Sequence, residues 1–80
     1  MNIIYAKRAI KAIETLDKLT KQRIKNGIEG IPSGDIKRLQ GYGKLYRLRI
    51  GIWRITFSYP DVDIILIEDI VPRGGAYKGV

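Results

Sequence analysis

The stretch KLYRLRIGIWRITFSY, residues 44–59, decides the fold because it predicts a β-hairpin whose two faces differ in chemistry. Successive side chains of a strand point to opposite sides of a sheet. Arg47 and Arg49 therefore share one face, and the apolar residues that alternate with them take the other. The second half of the stretch alternates in the same way, with apolar side chains at every other position from Trp53 to Tyr59.

The turn between the two predicted strands brings a third arginine to the face of the first two. With Ile50-Gly51 as a two-residue turn, in which the glycine takes the positive φ, Arg49 would pair with Ile52. Arg54 would then share the face of Arg49. A register shifted by one residue would bury Arg54 and expose Trp53, so the hydrophobic pattern itself favours this arrangement.

The hairpin is the most basic part of a basic chain. Six cationic side chains and no acid occur from residue 37 to residue 54, namely Lys37, Arg38, Lys44, Arg47, Arg49 and Arg54. The whole chain carries 15 Lys and Arg against 8 Asp and Glu, a net charge of +7. Such a charge attracts polyanions and speeds their encounter with the protein. The composition therefore favours nucleic acid or an acidic protein as the partner, and the hairpin predicts a phosphate-binding surface.

Composition also excludes several classes of chemistry. The chain has no cysteine and no histidine, which excludes disulfides, thiolate zinc sites and the usual acid or base at neutral pH. We expect no metal and no cofactor. No apolar run approaches the length of a membrane span, and the N-terminus lacks the pattern of a signal peptide. A chain of 80 residues is expected to form one domain over residues 1–80, located in the cytoplasm without membrane association.

The remaining elements follow from periodicity. Ile3–Tyr5 is predicted to be a strand, and from Ala6 an apolar stripe of helical period runs to Leu16. A second helix is predicted to start at Thr20 as its N-cap and to bury Ile24 and Ile28. Residues 32–43 are predicted to be a loop, and the apolar run 64–67 a strand covered on both faces.

The predicted fold is therefore an α+β domain in which two N-terminal helices pack on a small antiparallel sheet, in the order β-α-α-β-β-β. The arginine-bearing face of the hairpin would be left exposed on the side away from the helices. The predicted core joins the apolar face of the hairpin to the helices and consists of Leu48, Trp53, Ile55, Phe57, Ile10, Ile13 and Ile24.

This order of elements, with the run GDIKRLQGYGKLYRLRIGIWRITFSY (34–59) and the closing IVPRGGAY (70–77), resembles the RelE/ParE superfamily of toxins from toxin-antitoxin pairs. The resemblance covers essentially the whole chain and implies a RelE-like fold, related to that of microbial ribonucleases. For the RelE branch it implies a ribosome-dependent endoribonuclease that cleaves mRNA and inhibits translation. It also implies a cognate antitoxin protein, with mRNA and the ribosome as the other partners.

The resemblance also implies roles for individual residues. Arg54 matches the arginine that holds the scissile phosphate, Arg73 the arginine after the last strand, and Tyr77 the tyrosine near the C-terminus. These three are the expected catalytic residues. The basic residues expected to bind RNA are Lys37, Arg38, Lys44, Arg47 and Arg49. Arg47 and Arg49 stand where the best-known members have lysines, and an arginine does not readily give up a proton.

Three functions of different classes stay open at the level of sequence. The first is the ribosome-dependent mRNA interferase. The second is a ParE-like toxin that inhibits a DNA topoisomerase without catalysis, and the third is a non-enzymatic basic module that binds RNA. Single residues also have structural alternatives. Arg54 would form an ion pair with Glu68 or Asp69. Arg47 and Arg49 would dock an acidic antitoxin segment.

Overall fold

The computed structural model describes residues 2–39, 41 and 43–72, and in this part of the chain two helices pack against a five-stranded sheet. The elements in chain order are β1 (Asn2–Tyr5), α1 (Lys7–Glu14), α2 (Lys18–Glu29), β2 (Asp35–Arg38), β3 (Tyr46–Ile50), β4 (Trp53–Asp61) and β5 (Ile64–Pro72). Across the sheet the strands lie in the order β1-β5-β4-β3-β2. The predicted α+β class is confirmed.

Two features of the sheet differ from the prediction. Strand β2 lies inside the segment 32–43, which was predicted to be a loop, and it pairs antiparallel with β3 at the edge of the sheet. It was missed because its sequence DIKR has a single apolar residue, and a short edge strand needs no apolar alternation. Strand β1 pairs with β5 in parallel, so the sheet is mixed rather than wholly antiparallel.

The turn of the β3–β4 hairpin lies one residue later than predicted. Ile50 pairs with Trp53 and Arg49 with Arg54, so the two turn residues are Gly51 and Ile52. Gly51 has a φ of 58°, as the first residue of a type II′ turn requires. The cross-strand partner of Arg49 therefore changes by two residues, and a two-residue change keeps the residues within the two strands on their predicted faces. Ile52, predicted to lie on the arginine face, is instead exposed at the tip of the turn.

The helices begin close to their predicted positions, but one cap and one core residue were wrong. Asp17, not Thr20, is the N-cap of α2, and its carboxylate accepts a hydrogen bond from the Thr20 backbone N–H at 3.1 Å. Hydrogen bonds from the side chain and backbone of Thr20 lower the pKa of the Asp17 carboxyl. In α1, Ala9 is buried, whereas Ile10 is 46% exposed and does not belong to the core. None of the helices in the described ranges is long and apolar enough to cross a membrane.

The core lies between the helices and one face of the sheet. Its buried residues are Ala9, Ile24, Ile28, Ile31, Leu48, Ile55, Phe57, Ile65, Ile67 and Ile70. Trp53 and Ile13 pack against this cluster and are partly buried. The apolar run of β5 is fully buried on the helix side, at Ile65 and Ile67, and half-buried on the other side, at Ile64 and Leu66. The prediction that this strand is covered on both faces is therefore right for one face only.

A glycine in α2 permits the close approach of this helix to the hairpin. A Cβ added at Gly27 would overlap Cδ1 of Ile50 on β3. The missing side chain at Gly27 therefore leaves the space that the Ile50 side chain occupies at this point. This contact accounts for a glycine in the interior of a helix, where it is unfavourable by itself.

Candidate functional site: a basic depression on the open face of the sheet

Strand pairing brings the three predicted arginines of the hairpin together. Arg49 pairs directly with Arg54 across β3 and β4, and Arg47 occupies the same face two residues along β3. The buried apolar residues of both strands point to the helices, so the arginines lie on the opposite face. Like charges directly opposite each other destabilise a sheet. The pairing of Arg49 with Arg54 therefore concentrates positive charge on this face of the sheet.

These side chains line an open depression of about 600 Å³, which we call the basic depression. Its lining residues are Lys37, Arg38, Leu39, Arg47, Arg49 and Arg54. Five of these six carry a positive charge. The volume lies within the range of small-ligand sites, about 300–1,000 Å³. Four of the five predicted RNA-binding residues and the predicted phosphate ligand Arg54 are thus brought together in one concave site.

A carboxylate from the neighbouring edge strand holds two of the arginines. Arg49 Nε donates to Oδ2 of Asp35 at 2.9 Å, and Arg47 Nη1 donates to Oδ1 of Asp35 at 3.1 Å. Arg47 Nη1 also donates to the backbone oxygen of Asp35 at 3.0 Å. The hydrogen bonds from Arg49 and then from Arg47 lower the pKa of the Asp35 carboxyl. This carboxylate therefore stays ionised at neutral pH and offsets part of the positive charge of the site.

The three arginines differ in how far they reach solvent. Arg47 is buried, with 8% of the residue exposed, whereas 39% of the Arg49 side chain is exposed. Arg54 is half-buried, and its Nε atom is enclosed. The sequence predicted a fully exposed face, and burial of Arg47 contradicts that expectation. Arg49 is accordingly more open to a ligand than Arg47.

Lys44 does not line the basic depression. It lines a second depression of about 310 Å³ together with Arg38, Tyr46 and Tyr59. Arg38 belongs to the lining of both depressions, and its Nη2 donates to the backbone oxygen of Gly43 at 3.3 Å. Lys37, which pairs with Arg47 across β2 and β3, is exposed.

The two carboxylates considered as partners of Arg54 lie on β5 and have contacts of their own. Glu68 accepts a hydrogen bond from Ser58 Oγ at 3.0 Å. Asp69 accepts one from Arg8 Nη1 at 3.4 Å and one from the backbone N–H of Ile70 at 2.9 Å.

Over the ranges 2–39, 41 and 43–72, no group of three acidic side chains is placed to hold a metal ion.

Two of the three predicted catalytic residues, Arg73 and Tyr77, lie outside the described residues. The described part of β5 ends at Pro72, and Val71 pairs with Arg54. The strand that precedes the two residues in sequence therefore ends beside Arg54.

Sequence reasoning missed Asp35 as a residue of the site. The hairpin itself contains no acid between residues 44 and 59, and Asp35 was assigned to a loop. Its signal would have been the pairing of β2 with β3, which sets Asp35 directly opposite Arg49. A strand assignment for 35–38 would have been enough to find it.

Comparison with known proteins agrees with this architecture. No protein-family model matches the chain. A protein of Methanocaldococcus jannaschii named RelE1, a candidate toxin, is 35% identical over 85 aligned positions, which cover 96% of this chain and 94% of the relative. In the RelB–RelE antitoxin-toxin complex of Methanococcus jannaschii, one chain superposes with a TM-score of 0.78 at 27% identity, covering 94% of this chain and 95% of the other. The RelE–RelB complex of Pyrococcus horikoshii gives a TM-score of 0.69 at 28% identity, covering 91% and 94%.

The fold and these similarities define a small α+β toxin of the RelE type. The similarity to RelE1 goes beyond a shared fold, because 35% of the aligned residues are identical over nearly the whole of both chains. The protein belongs to the RelE family of toxins. The resemblance stated from the sequence is thereby confirmed.

Proposed function

We propose that this RelE-family protein is an endoribonuclease that cleaves mRNA on the ribosome and so inhibits translation. The observation that carries the proposal is the basic depression, in which Arg47, Arg49 and Arg54 share one face of a rigid sheet. A guanidinium group is planar, permanently charged and matched to two phosphate oxygens at once. Side chains of this kind on strands can hold an RNA backbone in a fixed orientation.

The chemistry that suits this site is attack by the RNA's own 2′-hydroxyl on the adjacent phosphorus. The bond between phosphorus and the 5′-oxygen breaks, which leaves a 2′,3′-cyclic phosphate and a free 5′-hydroxyl. The nucleophile belongs to the substrate, so the protein has to orient the nucleotide and stabilise the negative charge that develops on the phosphorane. Arg54 is proposed to neutralise that charge, and Arg49 to hold the flanking phosphate.

Proton transfer is assigned to the C-terminal residues on the basis of the family resemblance. The 2′-hydroxyl must lose a proton, and the leaving 5′-oxygen must gain one. Arginine stays protonated at pH values below about 12, so the hairpin arginines do not serve as the base. We propose Tyr77 as the base, a solvent water as the proton donor to the leaving 5′-oxygen, and Arg73 as a further phosphate ligand.

A tyrosine base makes positioning the main source of rate, and this is why we propose dependence on the ribosome. The ordinary tyrosine pKa is about 10, so little of the phenolate is present near neutrality unless neighbouring cations stabilise it. Correct orientation of the reacting groups supplies up to about 7–11 kcal/mol in favourable cases. mRNA held by a translating ribosome is already oriented, whereas free RNA is flexible.

We further propose that a cognate antitoxin protein holds this toxin inactive. The solved structures from Methanococcus jannaschii and Pyrococcus horikoshii that resemble this chain are complexes of RelE with RelB. The basic depression has the charge to receive an acidic segment of such a partner. Occupation of the depression by the antitoxin would exclude RNA.

The experiment that tests the proposal is controlled expression in bacterial cells, followed by mapping of cleavage sites in a translated mRNA by primer extension. The wild type is compared with Arg54→Ala and with Lys18→Ala, which removes an exposed cation from the helix layer as a matched control. We expect growth arrest and cuts inside reading frames for the wild type and Lys18→Ala, and neither for Arg54→Ala. Arrest without cuts would favour topoisomerase inhibition, and no arrest would favour a binding module.

A further inference from the structure

Asp35 is an acidic side chain at a site whose charge suits a polyanion. Its two carboxylate oxygens bind different arginines, with Oδ2 accepting from Arg49 and Oδ1 from Arg47. The carboxylate therefore links two neighbouring guanidinium groups on β3. A negative charge in this position weakens the attraction of the site for phosphate, so binding of RNA alone does not account for it.

We propose that Asp35 is a positioning residue that fixes the orientation of Arg49 for the RNA backbone, at the expense of affinity for RNA. The inference rests on the proposed function for its effect on cleavage, but its effects on RNA binding and on the orientation of Arg49 can be measured without it.

The contact between Asp35 and Arg49 leaves the phosphate-binding edge of the arginine available. A guanidinium has five N–H groups, of which this contact uses the single Nε–H. The two terminal nitrogens, which together can bind two phosphate oxygens, are not used in it. The Arg49 side chain is 39% exposed, so this edge has access to solvent. Asp35 thus binds Arg49 through Nε, and the two terminal nitrogens of Arg49 remain for a ligand.

Arg47 acts in this arrangement as a brace for Asp35. Its Nη1 donates to both the backbone oxygen and Oδ1 of Asp35, and its side chain is 10% exposed. An almost enclosed guanidinium that contacts both the main chain and the carboxylate restricts the motion of Asp35. Arg47 therefore restrains Asp35, and Asp35 in turn restrains Arg49.

A role in stability alone accounts poorly for Asp35. The ion pair of Asp35 with Arg49 joins side chains that are 51% and 39% exposed, and pairs at such exposed positions contribute little to stability, whereas the pair with the enclosed Arg47 contributes more. Strand β2 is already held by four residue pairs with β3. Asp35 lies opposite Arg49, which in turn lies opposite Arg54, so the carboxylate offsets a repulsion that would otherwise move Arg49 away from Arg54.

The test uses Asp35→Asn, which keeps the size of the side chain and one acceptor oxygen but removes the charge, and Asp35→Glu, which keeps the charge. Binding is measured by fluorescence anisotropy with a short single-stranded RNA whose 2′-hydroxyls are methylated, over a range of salt concentrations. Turnover is measured at saturating toxin on mRNA in translating ribosomes. The Arg49 Nε–H signal is followed by NMR, and thermal unfolding verifies that each variant is folded.

We expect Asp35→Asn to bind RNA several-fold more tightly, with a slope of log K against log salt steeper by about 0.7, as one additional phosphate contact would give. Its turnover should fall about tenfold or more, because an arginine released from its support misplaces the phosphate. Exchange of the Arg49 Nε–H with water should become faster. Asp35→Glu should keep wild-type affinity and recover part of the turnover.

Three results would overturn the proposal: unchanged exchange of the Arg49 Nε–H in Asp35→Asn, RNA affinity that falls together with turnover, or turnover equal to the wild type. If the wild type itself cleaves no mRNA, the proposed nuclease function fails, while the RNA-binding and NMR results still decide whether Asp35 positions Arg49.

Discussion

Replacing Gly27 by alanine tests how closely α2 lies against the hairpin that carries the arginines. Gly27 stands in the interior of α2, where alanine is favoured over glycine by about 1 kcal/mol. A Cβ at this position would overlap Cδ1 of Ile50 and lie 3.1 Å from its Cγ1. Helix propensity and packing therefore act in opposite directions.

The packing effect is expected to dominate. Rotation of the Ile50 side chain about χ2 moves Cδ1 away from the new methyl group but leaves Cγ1 at 3.1 Å. Forcing an extra methyl group into a packed contact costs about 1–3 kcal/mol, which exceeds the gain in helix propensity. We expect Gly27→Ala to lower the free energy of unfolding by about 1 kcal/mol, equivalent to about 4–8 °C in Tm for a domain of this size.

Two further variants separate packing from helix propensity. Gly30 ends α2 with a φ of −83°, and a Cβ there would meet backbone oxygens at 3.5 and 3.6 Å, which are ordinary contacts. Gly30→Ala should therefore leave stability within about 0.5 kcal/mol of the wild type. Ile50→Val removes the overlapping Cδ1 and should cost less in the Gly27→Ala background than alone, with a coupling energy of at least about 0.5 kcal/mol.

Equilibrium unfolding in urea is measured for five proteins, namely the wild type, the three single variants and the Gly27→Ala/Ile50→Val double variant, with equal m-values as the condition for comparing them. If Gly27→Ala were as stable as the wild type and its effect simply added to that of Ile50→Val, the close contact between α2 and β3 would be contradicted.

Three further predictions concern charge. Arg49→Ala should make the dependence of log K on log salt for single-stranded RNA shallower by about 0.7, with little change in Tm. Arg47→Ala empties a buried position and should also lower the Tm. An equal Tm for the two variants would contradict the difference in their burial. The pKa of Asp35 is lower in the folded protein than in the unfolded chain, so its contribution to stability is present above the unfolded value of about 3.9 and is lost as pH falls through the folded value. Thermal unfolding of Asp35→Asn between pH 6 and pH 2 should therefore show a smaller loss on acidification than the wild type, and parallel curves would argue against the ion pairs. Asp17→Ala should lower the Tm by several degrees and Asp17→Ser should restore most of it, because serine also caps a helix; no recovery with serine would count against a capping role.

The face assignment of the hairpin could be predicted from the sequence although its turn could not. Moving the turn from Ile50-Gly51 to Gly51-Ile52 changes the partner of Arg49 by two residues, and side chains alternate with a period of two. The arginines therefore stayed on one face. Gly51 takes the positive φ in both arrangements, and the position of the turn depends on whether this glycine is the first or the second turn residue, a backbone property that alternation of apolar residues does not reveal.

The charge balance of the site could not be predicted because it depends on a strand without a hydrophobic signal. Strand β2 lies at the sheet edge and contributes one apolar residue, Ile36, so nothing in its sequence distinguishes it from a polar loop. Asp35 consequently appeared unrelated to the arginines, which it contacts through strand pairing. The burial of Arg47 was hidden for the same reason.

We propose that the protein cleaves mRNA at the basic depression only when a ribosome presents the mRNA. The most direct measurement is a reconstituted reaction in which one mRNA, free or bound in programmed ribosomes, is incubated with wild-type toxin, Arg54→Ala or Lys18→Ala. We expect cuts in the ribosome-bound mRNA alone, ending in 2′,3′-cyclic phosphate and 5′-hydroxyl, abolished by Arg54→Ala and unchanged by Lys18→Ala. Equal cleavage of free mRNA, or no cleavage on ribosomes at saturating toxin, would contradict it.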